Sequence, residues 1–306
     1  MMQEPLVSIV TITYNHEPYI RKCIEGVLMQ KVNFLIEFII AEDCSTDGTL
    51  AICKEYAEKY PKLIKLITSE NNVGALQNEV RAINVAKGKY LAFCEGDDYW
   101  TDSLKLQKQV DFLENHQEYS VCFTRYNIYY EKTNTTEPGY AEFLFDGLHH
   151  TDYTDVSIET SINIWCTQYL TLMCRKDLYD NELYKKYNYY RDTHQVYHLM
   201  LRGKCAMLNF VGGVYNITGR GEHSHRDAIS QLQMTLAVDT ELWKFNNDKH
   251  WRDLCMRVMQ YLIDNYDGRD NMLFLRYALK IFYYRGGLGK FVKNIRKVLF
   301  SNYYNK

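Results

Sequence analysis

The sequence predicts an α/β protein, with an open, mostly parallel sheet flanked by helices and a C-terminal helical extension. Three observations carry this prediction. Runs of β-branched apolar residues alternate with helically spaced ones through the first hundred positions. The connections between them are short, as parallel pairing with right-handed crossovers requires. From about Asp227 onward the apolar spacing is helical almost without a break.

Taken in order, Leu6 to Tyr14 (LVSIVTITY) is a β-branched run that reads as a buried strand. Asn15-His16-Glu17-Pro18 interrupts it, and Pro18 suits a first helical turn. Ile20, Cys23, Ile24, Val27 and Leu28 then form one apolar stripe. Phe34 to Ala41 is the second strand, and Asp47-Gly48-Thr49 opens a helix whose apolar face is Leu50, Cys53, Ala57 and Tyr60. A third strand, Leu63 to Ile67, and a third helix, Ala75 to Ala86, lead to a fourth strand, Tyr90 to Cys94. Beyond residue 100 the pattern predicts a helix from Ser103 to His116 and a polar excursion from Thr133 to Tyr153. Strands at Tyr169 to Cys174 and Cys205 to Tyr215 flank a helix over Asp192 to Leu201.

The 306 residues suffice for one large domain or two modest ones. With 46% hydrophobic and 24% charged residues and four prolines, the composition is that of a globular protein. A formal net charge of −2 gives no case for a nucleic-acid partner. Nine cysteines without a CxxC pair predict reduced, mostly buried thiols rather than a disulfide framework or zinc site. Met2-Gln3-Glu4-Pro5 leads straight into a strand, and no apolar run approaches the ~20 residues of a membrane span. The expected location is cytoplasmic.

In an open parallel sheet, ligands bind beyond the carboxyl ends of the strands. The four ends here are Thr13-Tyr14-Asn15, Glu42-Asp43, Asn71-Asn72-Val73-Gly74 after the third strand, and Glu95-Gly96-Asp97-Asp98-Tyr99-Trp100. All deliver polar or acidic groups to one rim. One such end is an ordinary turn; four together predict a site. Three carboxylates at 95, 97 and 98 repel each other unless a cation lies among them. Hard divalent ions such as Mg²⁺ or Mn²⁺ take a carboxylate or two plus substrate phosphates. The alternative is a solvated acidic turn. TYNHEPY after the first strand contains neither GxGxxG nor GxxxxGK[ST], so a diphosphate would be held through metal rather than a glycine-rich loop.

VSIVTITYNHEPYIRKCIEGVLMQ, IIAEDCSTDGT, NNVGALQN and KGKYLAFCEGDDYW, in this order and spacing, resemble glycosyltransferase family 2, inverting enzymes with an A-type fold. The likeness runs over about residues 5 to 115 and returns weakly near 190 to 224. It implies a nucleotide-sugar donor, a UDP-sugar foremost, and Mn²⁺ or Mg²⁺ as cofactor. Thr11, Tyr14 and Asn15 would border base and ribose, with Asp43 accepting hydrogen bonds from the base and Glu42 and Ser45 beside it. Asn72, Gly74, Asn78 and Arg81 would line the nucleotide and diphosphate pocket. Glu95, Asp97 and Asp98 would be the metal-binding motif, Asp97 foremost, with Trp100 closing the segment. Glu95 departs from the family's usual Asp.

The family also places an acidic residue at the start of a helix in the acceptor half. Within Tyr190-Arg191-Asp192-Thr193-His194 that is Asp192, the candidate base; the plain alternative is a helix N-cap. His194 and His198, at i and i+4, read as a helix face. The family's usual His near the end of the last strand falls on Thr218, leaving Arg220 or His223 as substitutes. Residues 1–226 are then the catalytic domain, divided into a nucleotide-sugar-binding half (1–100) and an acceptor half (101–226), and 227–306 a helical region.

After Asp270 there is no acidic residue, while eight Lys and Arg accumulate among aromatic and aliphatic ones. Such a segment suits the surface of an anionic membrane, which would place the chain on the inner face beside a glycan or lipid-linked acceptor, as in surface polysaccharide or lipooligosaccharide synthesis. A helix packed on the domain with a solvated basic face is the alternative. Two other functions compete: a sugar-phosphate nucleotidyltransferase, against which the missing basic glycine-rich signature counts, and a non-catalytic binding protein on a degenerate transferase fold, against which EGDD counts.

Overall fold

Strand β1 (Val7–Thr13) pairs in parallel with β2 (Ile36–Glu42) on one side and β4 (Tyr90–Phe93) on the other, and β3 (Ile64–Ile67) lies beyond β2. Helices α1 (Ile20–Leu28), α2 (Thr49–Lys59) and α3 (Ala75–Val85) make the crossovers. The computed structural model describes residues 4–146, 151–164, 166–219, 227–266 and 270–304, and they divide into two compact units: residues 1–186 with 192–221, and 187–191 with 222–306.

The parallel pairing predicted for the first hundred residues is present. The register sets Thr13 beside Glu42. The backbone carries on past the strand ends, with Asp43 N–H donating to Thr13 O and Gly96 N–H to Ile12 O, each at 3.0 Å. Three chain segments are thereby stitched together where the acidic residues emerge.

Beyond Trp100 the sheet becomes mixed. After β5 (Tyr99–Trp100) and α4 (Lys105–Asn115) comes β6 (Tyr119–Tyr130), a 12-residue strand the sequence reading did not anticipate. Ser120, Thr124, Arg125 and Asn127 interrupt its apolar run, yet most of it is buried. The polar excursion holds β7 (Thr135–Pro138), a fully exposed strand antiparallel to β6, and a 3₁₀ helix, Tyr140–Phe145. β8 (Tyr153–Asp155) and α5 (Ile158–Asn163) follow.

Tyr169–Thr171, expected as strand, is a 3₁₀ turn leading into β9 (Met173–Arg175), which runs antiparallel between β4 and β6. α6 (Asp192–Met200) precedes β10 (Lys204–Ile217), parallel to β6 and antiparallel to β5 and β8. The resulting order is β3-β2-β1-β4-β9-β6-β10-β5.

Alternation along β1 feeds the two faces of the sheet: Val7 and Ile9 pack with Ile20, Cys23 and Ile24, whereas Val10 packs with Ala82 and Ile83. Burying each such aliphatic side chain contributes about 1.5–3 kcal/mol. All nine cysteines are free thiols, eight of them buried, as the spacing implied.

The second unit is built from α7 (Ala228–Asn246), α8 (Lys249–Asp264), α9 (Asn271–Arg285) and α10 (Leu288–Tyr304). Asp227, Asp248 and Asp270 cap the first three, each accepting N–H bonds from the first turn. Leu242, Trp243, Trp251, Cys255, Met259 and Phe274 are buried there. Among the described residues no helix is long and apolar enough to cross a membrane.

Candidate active site

The acidic segment leaves β4 at Cys94. Thr11, fully buried, donates its hydroxyl to Cys94 O at 2.7 Å and so ties β1 to the start of that turn. Gly96 is packed so closely that a Cβ there would lie 2.6 Å from Thr13 Oγ1 and 2.7 Å from His16 Nδ1. The turn can therefore approach β1 only with glycine between its acids. Asp97 Oδ2 lies 3.9 Å from His16 Nε2, and Asp98 N–H closes on Glu95 O at 3.0 Å.

Asp98 is buried, and its Oδ1 accepts the backbone N–H of Asn216 at 2.8 Å. The Asn216 side-chain amide donates to Asp97 O. The end of β10 thus clamps the acidic turn from a point 118 residues along the chain. Four buried polar atoms around this corner have no hydrogen-bond partner among the described residues: Asp98 Oδ2, Thr13 Oγ1, His16 Nδ1 and Asn216 Oδ1. Buried polar atoms are normally satisfied, so their clustering marks a place shaped for another group.

The electrostatics agree. Burial, then Asp97, then Asp192 and Glu79 push the Glu95 carboxyl well above the usual range. Burial, then Asp97 and Glu95, do the same to Asp98, against the Asn216 N–H. The Tyr215 hydroxyl is pushed up by burial and then by Asp98, Glu95, Asp97 and Asp192. These acids share one field, which a cation would relieve. Asp97 and Glu95 are only partly buried, and carboxylate oxygens suit a hard divalent ion. Among the described residues, no three His, Cys, Asp or Glu side chains form a ready-made metal cage.

The residues expected on the nucleotide side form a linked rim. Asp43 accepts Ser69 Oγ–H (3.0 Å) and Val73 N–H (2.9 Å) on Oδ1 and Gly74 N–H (2.8 Å) on Oδ2, leaving acceptor capacity for one more donor. Asn72 Oδ1 also takes the Gly74 N–H at 2.9 Å. Gly74, at φ 85°, needs glycine to open α3 in this way. Glu42 receives Cys44 N–H (3.2 Å) and Ser45 N–H (2.6 Å), and the Ser45 hydroxyl accepts Asn15 N–H at 3.0 Å. Asn15 and Cys44 both have left-handed backbones, φ 55° and 60°. Strained residues at two adjacent strand ends are a feature of ligand sites. Tyr14 is exposed beside them.

Asn78 is buried, its amide donating to Ala41 O at 2.7 Å, and Arg81 bonds Asn78 Oδ1 and Thr68 O. Together they tie α3 to the end of β2 and to the segment after β3. Trp100 sits in the core, 2% exposed, its indole N–H on Leu170 O at 2.8 Å and the Lys105 ammonium 4.1 Å from a ring centroid. It supports the turn from beneath rather than lining the rim.

Asp192 is the first residue of α6, exposed, with Oδ1 accepting Thr193 N–H at 2.8 Å. Its charge acts on Glu95, Glu79 and Tyr215. Arg191 belongs to the helical unit and donates to Met234 Sδ at 3.3 Å. His194 and His198 are buried, and burial lowers His198 to about 4, so it is neutral at physiological pH. Thr218 follows the last residue of β10, while Arg220 and His223 lie outside the described residues. Thr13, His16, Gly96 and Asn216 were not singled out from sequence. Only adjacency to the four strand ends pointed to the first three, and nothing local marked Asn216.

Comparisons with known proteins point the same way. A Mycobacterium bovis protein named only as uncharacterized is 49% identical over 125 residues, 41% of this chain and 36% of its own. WfaP from Escherichia coli, named UDP-Glc:alpha-D-GlcNAc-diphosphoundecaprenol beta-1,3-glucosyltransferase, is 36% identical over 129 residues, 42% of this chain and 47% of its own. The chain therefore spans about a third to a half of the length of these curated relatives. Among solved structures, a TarS fragment from S. aureus in complex with UDP superposes with TM-score 0.59 at 16% identity, covering 98% of this chain and 92% of that one. The mannosyltransferase PcManGT from Pyrobaculum calidifontis, in complex with GDP-Man and Mn²⁺, gives 0.58 at 14%, covering 100% and 89%. At those identities the likeness is one of fold. The sequence profile of glycosyl transferase family 2 matches residues 8–171, more than half of the 306 residues, and the chain belongs to that family.

Proposed function

We propose that the chain transfers a sugar from a nucleotide-sugar to an acceptor hydroxyl with inversion at the anomeric carbon, and that Asp97 and Glu95 hold a divalent cation shared with the donor's diphosphate. The observation that carries this reading is the corner around Gly96, where converging carboxylates and four unpartnered buried polar atoms meet at the carboxyl end of β4. Asp98 and Asn216 hold the turn, and the half-buried Asp97 and Glu95 flank it, Asp97 beside His16. When bound, Mn²⁺ or Mg²⁺ supplies Lewis-acid stabilisation of the departing diphosphate. The orphan Thr13 hydroxyl and His16 ring nitrogen are suited to waters or phosphate oxygens around that ion, and the Asn216 Oδ1, an acceptor, to a water.

The nucleoside would lie along the rim of Tyr14, Asn15, Asp43 and Ser45, with Asp43's remaining acceptor site on the base; Thr11 and Glu42, expected on that rim, are fully buried and brace it from beneath. Asn72, Gly74 and Arg81 would wall the diphosphate, with the buried Asn78 holding Arg81 from behind. Asp192 takes the acceptor hydroxyl's proton as the new O–C bond forms and the bond to the leaving diphosphate breaks. Its exposed carboxylate and the field it shares with Glu95 support that role.

A UDP-sugar is the donor favoured by WfaP's name and the TarS complex with UDP, and WfaP's name gives alpha-D-GlcNAc-diphosphoundecaprenol as its acceptor. A lipid-linked or glycan acceptor, and a part in surface polysaccharide synthesis, follow as the reading for this chain. The helical unit fits it, since Tyr283, Leu288 and Leu299 are exposed among the basic residues of α9 and α10. That surface would rest on an anionic inner leaflet. The test is incubation with UDP-, GDP- and dTDP-sugars, Mn²⁺ and a diphospholipid acceptor. Nucleoside diphosphate release with a product of opposite anomeric configuration supports the proposal; a retained configuration, or no turnover of any donor, contradicts it.

A further inference from the structure

Beside the acidic turn lies a second built group that neither the family motifs nor the mechanism uses. Glu79, on α3, receives two hydrogen bonds on one oxygen: from Tyr179 Oη–H at 2.6 Å and Tyr169 Oη–H at 3.1 Å. The two hydroxyls lie 2.8 Å apart. Both rings pack on Phe93, with centroids 4.6 Å and 5.7 Å away, and Phe93 stands two residues before Glu95 on β4. Three elements distant in sequence thus aim one carboxyl at the carboxyl end of β4. Its other oxygen, Oε2, makes no hydrogen bond among the described residues, although the side chain is only partly exposed.

Position decides what that oxygen meets. Glu79 acts electrostatically on Glu95 and is acted on by Asp192. If Glu95 and Asp97 hold the diphosphate and Asp192 takes the acceptor's proton, the transferred sugar must lie between them. Glu79 therefore borders the sugar itself. The chemistry excludes an anionic ligand group there, because four carboxylates already share the field. It favours a neutral hydroxyl, which can donate to an aimed carboxyl oxygen. Burial, the dominant influence, raises Glu79 to about 7, so near neutrality it can also present a proton to a hydroxyl oxygen.

We propose that Glu79, oriented by Tyr169 and Tyr179, is a sugar-recognition residue that hydrogen-bonds one hydroxyl of the transferred sugar and thereby selects the donor. This rests on the transferase reading. A site built to pair a substrate hydroxyl rejects analogues lacking it far more strongly than an apolar pocket rejects a missing methylene.

The experiment compares calorimetric affinities, with Mn²⁺ present, for the nucleoside diphosphate and for the matching nucleotide-sugar found in a UDP-, GDP- and dTDP-sugar panel. In the full chain, Glu79→Ala weakens nucleotide-sugar binding about tenfold or more and changes nucleoside diphosphate binding less than twofold. Tyr179→Phe, which removes the hydroxyl and with it both the 2.6 Å hydrogen bond to Glu79 and the 2.8 Å contact with the Tyr169 hydroxyl, shows the same selective loss at about threefold and carries the test if the alanine variant does not fold. One mono-deoxy donor in a series then binds wild type and Glu79→Ala equally. Parallel loss of both affinities, or unchanged discrimination among the deoxy donors, overturns the assignment of Glu79 alone. Wild-type protein that binds neither nucleotide nor nucleotide-sugar overturns the transferase reading and this inference with it.

Discussion

Replacing Gly96 with alanine probes the acidic turn without removing any charged group. The added Cβ would stand 2.6 Å from Thr13 Oγ1 and 2.7 Å from His16 Nδ1, against 3.4 Å for an ordinary contact, so the turn must retreat by close to 0.8 Å. Neither neighbour yields easily. Thr13 is the last residue of β1, and His16 is anchored by its N–H to Thr49 Oγ1 at 2.8 Å. The turn is also held by the Asn216 clamp, so the shift falls on Glu95 and Asp97. Overpacking of this kind costs about 1–3 kcal/mol of stability, and a displacement near 1 Å at the reacting centre costs about a hundredfold in rate. Gly96→Ala should therefore stay folded, with a melting temperature lowered by several degrees, while its transfer rate in excess donor and Mn²⁺ falls by about two orders of magnitude. A variant that melts like wild type and turns over within threefold of it would refute the packing argument.

Three further perturbations test separate parts of the account. Asp97→Asn keeps shape but weakens cation binding; transfer should fall by at least a hundredfold, and excess chelator should abolish wild-type transfer, both read as nucleoside diphosphate release. Asp192→Asn should lower kcat by about a hundredfold or more while donor affinity stays within threefold; parallel loss of both would place Asp192 in donor binding instead. In the helical unit, burial alone raises Asp239 from 3.8 to about 7. Between about pH 4 and 7 the folded chain keeps a proton that the unfolded chain has released, so stability falls as pH rises, by about 1.4 kcal/mol per unit and up to about 4 kcal/mol in total. Asp239→Asn should raise the melting temperature at pH 8 and change it little at pH 4; an equal change at both would contradict that assignment.

The sequence made the first hundred residues legible because each strand there is a short apolar run and each helix a single stripe. The strand ends were legible because each apolar run breaks off at a polar or acidic residue, although Thr13, Glu42, Asp43 and Asp98 then prove to be buried there. β6 was not, because polar residues break up a strand that lies deep in the sheet, so its periodicity is blurred. β7 carries only TTEP, all exposed, and owes its existence to pairing with β6. Tyr169–Thr171 reads as strand by composition but turns to bring Tyr169 onto Phe93 and Glu79. The Asn216 clamp and the Glu79 cluster join residues 90 to 119 positions apart, and no local pattern encodes such distances. Trp100 shows the converse: it is adjacent in sequence to the acidic motif, yet β5 turns it into the core.

The central claim is that the turn from Glu95 to Asp98 binds a divalent cation that also binds the donor's diphosphate. Anomalous diffraction from crystals soaked with Mn²⁺ and the matching nucleoside diphosphate tests it directly. The account predicts a manganese peak about 2.1 Å from an Asp97 carboxylate oxygen and from oxygens of both phosphates. Nucleotide bound with its phosphates away from that turn, and no manganese beside Asp97, would contradict it.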